Sequence, residues 1–378
     1  MKKAKSSQSK KNKTALKKQP IKTYIFFAIA LVAIIIGFTL ITQNYKPFII
    51  LLPQEEKTFD SWSLLVRTIE KELGLKRIRL SGYKNFKDLE NQIARASTQK
   101  ILWAEVPLSS DYPLEQLIEK KLLQTVDMSS NKIFFPASIL AASQTATNSE
   151  KEYYTLPLCL NPIVKIRKIN PSSDIFPFDL VVSAKNPKDA LDIYTFFKAE
   201  LAKTNENPEA KTVFASIQEA ANTKYIQKNA HTFTKQDSIQ YFFAEESKDL
   251  LISTEELLSF TTEQAHAVQV QNLGSHITSE LHSLIFPKTK NAKTKRLIEK
   301  SQDLLANKEL QFILANTRNW IPAHIATVAR NAQTDFIRQG IRQSSLCFIP
   351  SLQIPAEAEA KKEFLPELEK AFRNKMNE

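Results

Sequence analysis

The chain has 378 residues with 52 Lys or Arg against 40 Asp or Glu, a formal net charge of +12. Nine of those bases are lysines between Lys2 and Lys22, where no acid occurs, so the remainder holds 43 against 40 and is nearly neutral, which argues against nucleic-acid binding. Five glycines with no close neighbours exclude Gly-rich phosphate loops and dinucleotide fingerprints, and two cysteines, Cys159 and Cys347, are too few for a disulfide framework.

Taken in order, residues 1–22 form a basic tail and Tyr24 to Thr42, YIFFAIALVAIIIGFTLIT, is a charge-free run. At about 1.5 Å of rise per helical residue it just spans a hydrocarbon core of about 30 Å. It predicts a transmembrane anchor over 23–43. Lysines before it and a first acid only at Glu55 place the N-terminus in the cytoplasm and the body outside it. A cleaved signal peptide is the rival; its apolar region is shorter, and no A-x-A-like site follows here. No cysteine follows either, so a lipidated N-terminus is not expected.

Phe48 to Leu52 reads as a buried strand. Trp62, Leu65, Val66, Ile69 and Leu73 then mark one face of a helix, with Asp60 or Ser61 as N-cap and Gly74 as its stop. A strand over 77–83, a helix over 86–96, a strand over 101–106 and a helix over 113–123 repeat the pattern. Such alternation predicts a parallel sheet covered on both faces, with ligands at the carboxyl ends of the strands. The loops 53–62 and 107–112 are therefore the ones of interest.

YYTLPLCLNPIVKI, interrupted by Pro157 and Pro162, reads as an extended crossing, because proline donates nothing to a central ladder. A strand over 179–183 and a helix over 187–201 follow. Residues 213–271 read as mostly helical, with a strand at 250–253. A segment over 277–286, a Lys-rich turn and helices from Thr294 and around Leu310 to Leu314 complete the pattern, before a last amphipathic helix carrying Phe364, Leu365, Leu368 and Phe372.

Catalytic signatures are missing. The five histidines show no H-E-x-x-H or other ligand spacing, no G-x-S-x-G elbow occurs, and Cys159 between two leucines suits an inert buried thiol. Glu245/Glu246 and Glu255/Glu256 read as solvated helix faces. Neither an enzyme nor a cofactor or metal is expected.

Several segments, in order, resemble the extracellular solute-binding proteins of carbohydrate-type ABC importers. They are IEKELGLKRIRL at Ile69 to Leu80, LIEKKLLQTVD, YTLPL at Tyr154 to Leu158, FAEESKDLLIS, and LANKELQFILANTRNWIPA. This sequence departs from the family in lacking Tyr-Asn after the crossing and in having Glu246 where the family has Gly. The resemblance implies a two-lobed type II periplasmic-binding-protein-like α/β fold behind the one transmembrane helix. Lobe one would comprise 47–157 plus 266–318 and lobe two 158–265 plus 319–378, hinged near 154–161, 264–271 and 316–320.

It further implies an anchored binding protein that holds a small hydrophilic solute, an oligosaccharide among the candidates, in an interlobe cleft and serves an ABC permease. The alternative is a degenerate relative acting as an envelope scaffold. In sugar clefts aromatic rings stack on pyranose faces, which singles out Trp62 and Trp320, although an isolated Trp also suits a core. Trp103, inside a strand, reads as structural. Asp60, Glu105, Ser109, Ser110 and Asp111 lie in or beside strand-end loops where they could bond sugar hydroxyls, and helix capping accounts for Asp60 and Asp111 equally well. With Tyr154 of the YTLPL crossing, the expected ligand contacts are Asp60, Trp62, Ser109, Asp111, Tyr154 and Trp320.

Overall fold

The computed structural model describes residues 46–350, except 109–110, 130, 146, 148–151, 172–176, 203–207, 228–229, 245, 272–276 and 344–347, together with 31–32, 366 and 369–370. Two compact units meet at Lys46 and Pro47. Of the apolar run, only Leu31 and Val32 are described, both helical; no helix among the described residues is long and apolar enough to cross a membrane. Cys347 and most of the last predicted helix also lie outside the described residues.

The second unit opens with the predicted alternation: β1 (Phe48–Pro53), α1 (Glu56–Leu73), β2 (Ile78–Tyr83), α2 (Phe86–Ala94), the single turn α3 (Ala96–Gln99) and β3 (Ile101–Pro107). β1 pairs in parallel with both β2 and β3. α1 buries Trp62, Leu65, Ile69 and Leu73, the predicted stripe. Gly74 ends it at φ 65°, and the Leu75 amide turns back onto the Glu70 carbonyl at 2.7 Å. The expected cap is corrected. The chain turns immediately after β1, with the Glu55 amide on the Pro53 carbonyl, and the helix is under way at Glu56. Asp60 and Ser61 therefore lie inside α1; its first turn carries no apolar residue of the stripe and left no periodic signal.

The chain continues through α4 (Leu114–Glu119), α5 (Ala137–Thr145), β4 (Thr155–Lys168), β5 (Phe178–Val181), α6 (Pro187–Ala202), α7 (Ala210–Asn222), α8 (Lys235–Phe243) and β6 (Ser247–Ser253). It ends through α9 (Thr254–Leu257), α10 (Thr262–His266), β7 (Val268–Val270), β8 (Ile277–Ile285), α11 (Ala292–Leu305), α12 (Lys308–Arg318), β9 (Ile321–Pro322), α13 (Ala332–Gln343) and β10 (Phe348–Pro350).

The strands join in the order β2-β1-β3-β8-β4-β6-β5, with β10 on β8 and β7 and β9 on β4. The sheet is mixed, where a parallel one was expected. β7 and β8 both run antiparallel to the long β4, and β8 runs antiparallel to β3. The proline-interrupted crossing is thus one central 14-residue strand, and the ladder accommodates Pro157 by a register shift between Pro157 and Cys159. The larger hydrophobic core surrounds Trp62, Trp103, Ile50 and Leu284 and runs on along the sheet to Val164, Phe242 and Leu257, while a smaller one gathers Leu180, Ile193, Phe197, Val213 and Ile217.

Candidate functional site

The carboxyl end of β3 carries Glu105, whose side chain is 0 % exposed. An acid at that depth needs partners, and three elements supply them, while a fourth holds the backbone beside it. The Trp62 indole of α1 donates to Oε2 at 2.5 Å. Arg318, at the end of α12, donates from both terminal nitrogens at 2.5 and 2.8 Å. His282 of β8 meets Oε1 through Nδ1 at 2.6 Å. Tyr83 of β2 donates to the Glu105 carbonyl at 2.6 Å.

A second layer fixes those partners. Arg318 Nε donates to Ser61 Oγ at 2.9 Å, and Glu280 approaches His282 Nε2 at 3.3 Å. The Trp320 ring stands edge-on to His282, 4.7 Å away, and its indole donates to Glu255 Oε2 at 3.0 Å. Glu255 belongs to α9, where its amide donates to Asn161 Oδ1, and its carboxylate also pairs with Lys57 of α1. Side chains from α1, β3, β8, α9 and α12 therefore converge at the strand ends.

Electrostatics keep the cluster charged. Burial alone would raise the Glu105 pKa, but Arg318 and His282 outweigh it and hold the carboxyl well below the usual carboxylate range. Burial opposes the His282 cation, yet its bonds to Glu105 and Glu280 push its pKa up to about 9. The Cys159 thiol, 3.9 Å from Arg318, is driven upward by burial and holds its proton. The cluster thus offers neither a thiolate nor an open base, and no group of three or more metal-ligating side chains occurs among the described residues.

The structure brings Trp62 and Trp320 into one network, while Tyr154 bonds elsewhere. Trp62 is 0 % exposed, 5.9 Å from Trp103, with its N–H on Glu105, and presents no open face; Trp320 is 6 % exposed. Asp60 is exposed on α1, and Asp111 is exposed in the turn before α4. Tyr154, at the mouth of β4, is half-buried and donates to Glu152 at 2.6 Å. Beside it a hollow of about 310 Å³ is lined by Thr125, Val126, Met128, Lys132, Glu152 and Tyr153. Ser109 lies outside the described residues.

Arg318, His282, Lys57 and Glu255 were missed by the sequence reading. The one available signal was the charge inside ILWAEV: a carboxylate in an apolar strand demands a cation, although nothing local says which one.

No family model matches this chain, and neither does any curated protein. Solved structures do. The bacterial solute receptor AcbH, whose description gives an exclusive preference for β-D-galactopyranose, is 14% identical at a TM-score of 0.66, over 86% of this chain and 95% of its own. A family 1 extracellular solute-binding protein from Bifidobacterium longum subsp. infantis is 10% identical at 0.63, over 87% and 95%. The sugar-binding protein MalE from Xanthomonas citri is 9% identical at 0.63, over 86% and 92%. The fold is therefore the two-lobed α/β fold of these proteins, each described as a receptor or binding protein and none as an enzyme.

Proposed function

We propose that this protein is a membrane-anchored, extracytoplasmic solute-binding protein that takes a carbohydrate or similar small hydrophilic solute between its lobes and serves an ABC permease. The observation that supports this is the fold likeness to sugar receptors, which extends through both lobes and over more than nine-tenths of each neighbour's length. In this reading residues 23–43 span the cytoplasmic membrane with the N-terminus inside, and 47–157 plus 266–318 face 158–265 plus 319–378. The tether keeps the receptor at high effective concentration near its permease. Exposed Asp60 and Asp111, together with Tyr154 and the hollow beside it, are the polar positions offered to a solute.

A second reading, an envelope scaffold or protein-interaction module that no longer captures solute, has its own support. Trp62 and Trp320 are buried, and Glu105, Arg318 and His282 satisfy one another where strand ends meet the opposite lobe. Thermal unfolding across a panel of mono- and oligosaccharides separates the two. A ligand at 100 times its dissociation constant stabilises by about 2.7 kcal/mol, which a melting curve resolves easily. Selective stabilisation by one sugar class is expected, and a panel with no shift refutes the receptor reading.

A further inference from the structure

The even balance of charge along the exported sequence hides a spatial division. β1, β2 and β3 are parallel and begin at one edge of the first lobe's sheet; β8, antiparallel to β3, ends towards that same edge. The segment that follows, KTKNAKTKRLIEK, places Lys288, Lys290, Lys293, Lys295, Arg296 and Lys300 at exposed positions with Glu299 as its single acid. Its location is fixed by backbone and side-chain bonds. The Lys288 amide donates to the Leu122 carbonyl at 2.7 Å, and the Lys300 ammonium donates to the carbonyl of Glu72 in the last turn of α1, just before β2.

Further bases flank the strand starts. Exposed Lys76 and Arg77 precede β2, and the Arg77 carbonyl accepts from Phe48 at 3.1 Å. Lys100 precedes β3, with its ammonium 5.4 Å from the centre of the Phe48 ring. The opposite edge of the sheet carries the Glu105 cluster. Even with exposed Glu72 and Glu299 counted, bases predominate on this side of the folded part, which the sequence tally did not reveal.

Two features indicate what covers it. Three bases, Lys293, Lys295 and Arg296, lie in the first turns of α11, where the helix dipole disfavours cations and favours anions. Lys295 has Glu299 3.8 Å away on the next turn, an exposed pair worth little, and an anionic surface would turn the arrangement favourable. Chain length supplies the second. The second unit starts at Pro47, and five residues, Gln43 to Pro47, separate β1 from the apolar run. At about 3.3–3.6 Å per residue they reach at most roughly 18 Å.

We infer that this basic edge docks on the anionic headgroups of the membrane in which the chain is anchored, turning the strand ends that bear the Glu105 cluster away from the lipid. The inference rests on the proposed anchor at 23–43. It gives the lobe a fixed attitude on the bilayer: α11 lies against the headgroups, and the solute gap opens on the far side.

The test uses the full chain with Cys347→Ser, reconstituted into nanodiscs of phosphatidylcholine with or without phosphatidylglycerol, and a fluorophore placed through Thr289→Cys. Energy transfer to a headgroup acceptor should rise in the phosphatidylglycerol discs. It should fall in raised salt and with Lys290→Gln/Lys293→Gln/Arg296→Gln, exposed positions whose change leaves melting temperature and any sugar-induced shift intact. Equal transfer in both discs, or transfer indifferent to the substitutions, overturns the docking while leaving solute binding standing.

If the chain is not retained by discs, the anchor fails separately, and flotation of the same chain with phosphatidylglycerol vesicles then decides. At about fivefold per base near an anionic surface, the triple substitution should lower partition about a hundredfold. No flotation of the parent chain overturns the inference. Binding of duplex DNA that the same substitutions abolish, without lipid proximity, overturns it in favour of a nucleic-acid partner.

Discussion

Replacing Arg318 with Met isolates the largest electrostatic commitment in the molecule. The guanidinium is 2 % exposed and gives Glu105 two hydrogen bonds, with a third to Ser61. Met fills a similar volume, so little packing is lost, but Glu105 is left as a fully buried carboxylate facing one cation, His282. Removing one partner of a buried pair costs about 3–5 kcal/mol, most of it the penalty of the stranded charge. With an unfolding entropy near 2.1 cal/mol/K per residue over the roughly 275 residues described between 46 and 350, that lowers the melting temperature by roughly 5–9 °C. Urea unfolding followed by tryptophan fluorescence gives the free energy directly. The cause is checked by Glu105→Gln/Arg318→Met, which neutralises the stranded acid and keeps an amide for Trp62 and His282. The double variant should recover at least half of the loss. If Arg318→Met costs under about 1 kcal/mol, or the double variant loses the sum of the single effects, the cluster does not act as a coupled buried charge network.

Three further outcomes are expected. The His282 pKa is raised in the folded protein to about 9, so the stability it contributes is complete below its unfolded value near 6.5 and is lost as pH rises towards 9. Unfolding free energy should fall by roughly 3 kcal/mol across that window, and His282→Gln should flatten the curve there; an unchanged slope in the variant rules the assignment out. Gly74→Ala meets no atom within 4 Å but must hold φ at 65°, so it should cost about 1 kcal/mol through backbone conformation alone, as read by the urea midpoint. Exposed Lys57 is expected to matter little to stability despite its pairing with Glu255: Lys57→Ala should change the unfolding free energy by less than about 1 kcal/mol, and a larger loss would show the link between lobes to be stronger than a solvated pair.

Apart from the first turn of α1, the stretch from Phe48 to Pro107 was legible because its elements satisfy their own local rules. Phe48 to Leu52 is uniformly apolar, the Trp62 to Leu73 stripe has helical spacing, and Gly74 takes the one conformation it is suited to. Legibility ended where the determinant is distant. The direction of β8 follows from the route of the chain through the second lobe, to which a local apolar pattern is blind. Pro157 and Pro162 signalled an irregular crossing and concealed a central strand, because the register shift that admits Pro157 depends on its neighbour. Glu105 was visible as an oddity, but Arg318 lies 213 positions away and His282 177. Charge behaved likewise: the near-equal tally of bases and acids averages over a surface that the topology divides between edges.

β4 has a mechanical implication. Residues 155–162 hydrogen-bond to β8 and β9, and 163–168 to β6 and β7, so one unbroken ribbon is woven into both halves. Relative movement of the halves must then be a torsion distributed along that ribbon, resisted by every rung it twists, rather than a swing about a loose joint. Substitutions near Asn161, where the pairing of β4 passes from β8 to β6, should therefore alter how readily that ribbon twists.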